Sequence, residues 1–188
     1  MSKKSGNKEA TSGTVTGQRI PEADKHVKPV PVRNDQLKAD IEELKKNPDN
    51  EQYVKVLNAV VNAQLLAPIH LDKEPERDQE TGEVVIDKDT EIQFEMIKNN
   101  QGELYYPVFT DGAEMRKLQM EEDQMVLMVD FWDLANMIKM QEEQMAGFVI
   151  NPKGGNMIFP SDMIAKMVEE INRKKQEREK TSNGKESC

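Results

Sequence analysis

Apolar positions change their spacing along the chain, and each spacing predicts an element. Leu37, Ile41 and Leu44 fall on one face of a helix over 37–46, behind Asn34–Asp35 as a start signal. Asn47–Pro48 ends it, and proline suits the first turn of the next helix. Tyr53, Leu57, Val60 and Val61 predict that helix over 49–63, with these four facing the core. LLAPIHL (65–71) predicts a strand. The polar, acidic stretch 72–91 follows, with a short strand, EVVI (83–86), inside it. IQFEMI (92–97) alternates, with Ile92, Phe94 and Met96 on one side and Gln93 and Glu95 on the other. KNNQG then turns the chain, and ELYYPVF (103–109) is expected back as the second arm of a hairpin.

Beyond Thr110 the pattern becomes strand–helix–strand. Asp111 and Glu114 fit a capping box opening a short helix with Met115 and Leu118 inward. MVLMV (125–129) is apolar on both faces, as a central strand would be. Phe131, Leu134, Ala135 and Ile138 mark one helical face of DFWDLANMIKM. GFVI (147–150) and NMIF (156–159) are strands joined by NPKGG, where Gly154 and Gly155 are expected to supply positive φ angles. Pro160–Ser161 opens a last helix with Ile164, Met167, Val168 and Ile171 inward, fraying at NRKKQEREK. Hairpins mixed with strand–helix–strand units imply an α/β (α+β) domain: a mixed, largely antiparallel sheet with helices packed on it.

Composition adds boundaries to this order. Residues 1–34 are rich in Lys, Ser, Gly, Thr and Pro without apolar periodicity, so a disordered basic tail is expected, with PVPVR (29–33) extended at most. A single domain is expected over 35–175, and a second disordered tail over 176–188. Residues 1–33 carry a net +4 and 172–188 a net +3, which leaves −16 on 34–171 out of the chain's −9. A body that acidic repels phosphate backbones, so nucleic acid is not an expected partner. No apolar run approaches a membrane span, and no apolar stretch follows the N-terminal lysines as a signal peptide would require, so a cytoplasmic protein is expected.

Chemistry is sparse. His26 lies in the tail, and His70 alternates with Ile69 and Leu71 without a paired His or Cys, whereas zinc sites converge three or four ligands. Asp87, Asp89 and Glu91 have alternate spacing but lack the glycine and the final glutamate of a calcium loop, and Asp78, Glu80 and Gly82 fail in a similar way. The NPKGG glycines lack phosphate-loop spacing. With no nucleophile–base pair, metal cluster or cofactor loop visible, the expectation is a non-enzyme without a cofactor.

Larger motifs carry a resemblance. YYPVFTD (105–111), a helix, MVLMV, a second helix, GFVINP (147–152), a short hairpin and FPSDMI (159–164) together resemble the SseB protein N-terminal domain, of the enhanced serine sensitivity family, over residues 49–175. The acidic connection at 72–91 is longer than that pattern needs, and no second SseB-type domain is expected after this one. The resemblance implies a fold but no reaction, cofactor or catalytic residue. Its name suggests a loose link to amino-acid physiology.

Two function classes follow. The first is a non-catalytic interaction or regulatory module for a protein with a basic patch, with a homo-oligomer left open. Trp132 lies one position off the apolar stripe of its helix. With Met137 and Met140 it would form an apolar patch, framed by Asp130, Asp133, Glu142 and Glu143. The alternative is an amino-acid sensor with a pocket around Tyr105, Thr110 and Asn151. Ten of the twelve methionines fall in 115–167, a distribution that suits core filling and adaptable surfaces alike.

Overall fold

The computed structural model describes residues 32–73, 76–77, 84–85, 89–118 and 125–183 of the 188. Most of the expected N-terminal tail, residues 184–188, and Asp78, Glu80, Gly82 and Asp87 lie outside the described residues.

Two helices, α1 (Asp35–Lys46) and α2 (Asn50–Val61), lead into β1 (Leu65–Leu71). Within the acidic connection, β2 (Glu76–Arg77) pairs antiparallel with β3 (Val84–Val85). Then come β4 (Ile92–Phe94), β5 (Ile97–Lys98), β6 (Leu104–Val108), α3 (Gly112–Arg116), β7 (Met125–Val129) and α4 (Phe131–Met140). The chain closes with β8 (Met145–Ile150), β9 (Met157–Pro160) and α5 (Ser161–Asn183). Aspartates start three helices. The Asp49 carboxylate accepts from the Gln52 amide (2.7 Å), Asp111 from Glu114 (2.9 Å), and Asp130 from Trp132 and Asp133 (2.7 and 2.9 Å). Each satisfies a donor that a helix start leaves without an intrahelical partner.

The α+β class and mainly antiparallel pairing are as expected, with the strands divided between two larger sheets. Order β4-β1-β7 is antiparallel throughout; in β5-β6-β8-β9 only β6 and β8 run parallel. Leu66 and Phe109 exchange two backbone bonds of 2.8 Å and so join the sheets. The expected hairpin of 92–97 with 103–109 is reduced to Ile97–Lys98 against Leu104–Tyr105. Residues 92–94 pair with β1 instead, the Glu95 amide donates to the Pro68 carbonyl (3.0 Å), and Met96 is buried at the break. Alternation decides which side chains point inward; it does not decide which neighbour takes the backbone bonds.

Three further expectations are corrected. MVLMV is not central: among the described residues β7 pairs only with β1, and Met128 is 42% exposed. On α2 the inward line is Gln52, Val56 and Val60, while Tyr53, Leu57 and Val61 are half-buried, an offset of one position. Finally, α5 does not fray after Ile171 but runs to Asn183. Its distal turns carry bonds from Arg173 to Glu170 and Glu177, and a Lys174–Glu170 pair, where apolar burial is lacking. Pairs three and four residues apart support a helix by a few tenths of a kcal/mol each, about 0.2–0.5. The described helices include none long and apolar enough to cross a membrane.

The core lies between the sheets and the helices, around Tyr106, Phe131, Phe148 and Phe159. Phe148 and Phe159 stack with centroids 4.7 Å apart across the β8–β9 pair. Gly147 permits that pairing: its φ is 148°, and a Cβ there would lie 2.0 Å from the Phe159 carbonyl oxygen. Burial pushes the Tyr106 phenol up to about 12, with an opposing pull from its hydrogen bond to Gln141 Oε1.

Candidate functional site

Two places depart from the usual sorting of polar and apolar groups. The first is a polar junction where β6 and β8 end side by side. Asn151 follows β8 at φ 50° and is buried, as is Thr110. The Asn151 side chain accepts from the Thr110 amide (3.0 Å) and donates to Thr110 Oγ1 (2.9 Å). Its own amide donates to the Val108 carbonyl, and its carbonyl accepts from the Gly154 and Asn156 amides. Asn34 adds the start of α1, donating to the carbonyls of Thr110 and Gln64 (2.8 Å each). Of the residues expected to form a small-ligand pocket, Thr110 and Asn151 are thus brought together. Tyr105 is not: it lies five residues back along an extended strand, roughly 17 Å away, with its hydroxyl on Glu103.

Charges surround this junction. Lys38 on α1 donates to Asp111 (2.8 Å) and lies 3.8 Å from Glu114; Lys117 donates to Glu114 Oε1 (2.6 Å). Burial pushes the Asp111 carboxyl up, but the Lys38 bond and the α3 backbone amides outweigh it and hold the group below its usual range. The bond to Asp111, with neighbouring acids, raises Lys38. The expected capping box is half formed: Asp111 caps α3, but Glu114 turns away from the cap, and Glu114, not Met115 or Leu118, is the buried residue of that helix. Glu114 Oε2 is buried with no hydrogen-bond donor among the described residues. It packs on Gly154, where a Cβ would meet it at 2.1 Å. The positive φ angles expected of Gly154 and Gly155 belong instead to Asn151 and Asn156, so Gly154 serves close approach. A shallow depression opens here, lined by Lys38, Ile41, Glu42, Glu114, Asn151 and Gly155.

The second place is the outer face of α4. Trp132 is 36% exposed and Met140 66%, with exposed Asn136 between them on the same side of the helix. The Trp132 ring stands edge-on to Phe131, centroids 5.6 Å apart. Met137, expected in this patch, is buried: it lies three residues after Leu134 and widens the inward stripe. Asp133 has an internal task, since its carboxylate accepts from the Asp130 amide (3.0 Å) and closes a reciprocal capping box. Asp130, Glu142 and Glu143 still place acid at both ends of the face.

Sequence patterns did not single out Lys38, Asn34 or Glu114 for this region, because the contacts that bring them here join residues 30 or more positions apart. They also missed a cross-strand pair, His70 Nε2 with Glu95 Oε1, set up by the β1–β4 register.

The family model for the SseB protein N-terminal domain matches residues 37–166. The chain belongs to the SseB family. The SseB match begins inside α1 and ends inside α5, so Lys38, the Thr110–Asn151 junction and the whole of α4 fall within it. No curated protein and no solved structure matches the chain.

Proposed function

We propose that this SseB domain is a non-catalytic, cytoplasmic interaction module that docks a protein through a basic patch. The exposed Trp132 on the first turn of α4 carries the proposal. A large aromatic held at a fixed angle by its neighbour Phe131, with Met140 two turns along, is the kind of anchor on which binding energy concentrates. The acids around it fit a basic partner, and the −16 charge of 34–171 speeds encounter with one. With Met137 inside, the apolar surface is narrower than a three-residue patch, and Trp132 has the larger share of it.

The test is capture of partners from the native cell by the wild-type chain and by Trp132→Ala. The mutant is expected to lose the partner while keeping its denaturation midpoint. Equal capture at equal stability would reject the site. A small-ligand role keeps one specific support, Glu114 Oε2 beside the depression, which has no donor among the described residues. Thr110 and Asn151 use their side-chain groups on each other. A thermal shift with an amino acid, abolished by Glu114→Gln, would favour that role.

A further inference from the structure

Among the described residues, Glu114 Oε2 is the buried side-chain polar atom without a hydrogen-bond partner. The Glu114 side chain is only 9% exposed. A carboxylate oxygen shut away without a donor is costly, because its lost hydration is not replaced. The other oxygen, Oε1, accepts from Lys117 (2.6 Å), and Lys38 stands 3.8 Å from it while bonded to Asp111. We infer that Oε2 is the acceptor of a small-ligand site that takes a primary ammonium group, in the depression between α1 and the turn after β8.

Charge, space and donor chemistry converge on that class. Glu42 lines the depression together with Glu114. Lys38 and Lys117, set against Asp111, Glu114 and Glu42, leave one negative charge there, while Lys45 at the rim donates to the Gly154 carbonyl (3.3 Å). An N–H donor that carries positive charge bonds a carboxylate more strongly than a neutral donor such as water. The space is small: about 210 Å³, open solvent included, against roughly 300 Å³ or more for drug-sized sites. It suits an ammonium group on a short stem, with Ile41 as the apolar wall. Gly154 and Gly155 keep that space free of side chains. A Cβ on Gly154 would lie 2.1 Å from Oε2, and one on Gly155 would lie 3.1 Å from Ile41 Cγ2. A metal ion fits less well. Calcium takes about six or more oxygens, and the described residues bring together no group of three His, Cys, Asp or Glu able to hold one. The inference rests on the small-ligand reading of this depression and gives it a ligand class; it is separate from the docking proposed for α4.

NMR titration of the full-length chain tests it, at constant ionic strength, with ethylammonium, tetramethylammonium and acetate as probes. Ethylammonium is expected to shift the Glu114, Gly154 and Gly155 amides saturably, with a dissociation constant in the millimolar range that suits so small a ligand. Tetramethylammonium carries the same charge without an N–H and should leave these amides in place. Glu114→Gln should weaken ethylammonium binding at least tenfold. Gly155→Ala, which keeps the carboxylate but narrows the depression, should weaken it too, and Trp132→Ala should not; urea denaturation checks that each variant is folded. Equal shifts from both cations would mean a response to charge alone and would overturn the assignment, as would ethylammonium binding that survives Glu114→Gln. No saturable shift with ethylammonium would leave Oε2 to water and end it. Saturable shifts with acetate alone would overturn the ammonium class while keeping the small-ligand reading.

Discussion

The polar junction at Thr110–Asn151 and the outer face of α4 invert the usual arrangement in opposite directions. One buries polar side chains; the other exposes a tryptophan and a methionine. Both are informative for the same reason: a buried polar group or an exposed large apolar one requires an explanation that an exposed leucine does not. At the junction the explanation is internal. Asn151 bonds Thr110 with both ends of its amide, and its backbone closes the turn to Asn156. On α4 the described residues give Trp132 no such closure beyond its edge contact with Phe131. Residues at the first place should therefore govern stability, and residues at the second should govern association.

The sharpest break of that comparison is at Asn151. Asn151→Leu leaves the Thr110 amide and hydroxyl buried without partners and places a branched side chain at φ 50°. A loss on the order of 3 kcal/mol is expected, from unsatisfied buried groups plus left-handed backbone strain. Urea denaturation measures it. Trp132→Ala is the converse: less than about 1 kcal/mol in stability, but a loss of about 2 kcal/mol or more in partner binding, roughly thirtyfold in Kd. Stability effects of similar size at both positions would dissolve the contrast.

How far these roles were legible in sequence depended on distance along the chain. Trp132 stood out because its offset from Phe131, Leu134 and Ala135 is local, and helix geometry turns local spacing into a face. Met137 was misplaced by the same rule applied too narrowly, since an inward stripe covers more than four positions. Asp111 was visible as a helix start because caps act within three residues. Glu114 was not legible as a buried carboxylate, because its burial comes from Gly154 and Lys38, 40 and 76 residues away in sequence. The split of 92–98 between two sheets, and the pairing of β7 with β1 alone among the described residues, were hidden for a related reason. Apolar alternation reports burial, while strand neighbours follow from topology.

Glu114 and Gly154 give a smaller test of the internal junction. Gly154→Ala drives a Cβ onto Glu114 Oε2 at 2.1 Å, but the obstacle is the end of a side chain, which can rotate. A cost of about 1 kcal/mol is expected, at the low end for overpacking. In the background of Glu114→Ala the clash has no second partner, so Gly154→Ala should then cost less. A double-mutant cycle by urea denaturation reads the difference. Strict additivity would mean that the contact is not what makes glycine necessary there.

The smallest expected effect, and the one with the clearest sign, concerns the Lys38–Asp111 pair that joins α1 to α3. The Asp111 carboxyl is held below its usual value, so its contribution is complete above the unfolded-state pKa of about 3.9 and is lost as pH falls through the lower folded value. Lys38 is raised, so its contribution is complete below the unfolded value of about 10.4 and is lost as pH rises through the higher folded one. Between about pH 4 and pH 10 the pair should contribute a constant amount, of about 1 kcal/mol or less because Lys38 is partly exposed to solvent. Stability of wild type minus Lys38→Met, measured by urea denaturation across this range, should form a plateau that narrows at both ends. A difference that instead changes near neutral pH would assign the effect of Lys38 to some other group. A difference constant to the acid limit would leave only the packing of its alkyl stem against α1 and α3.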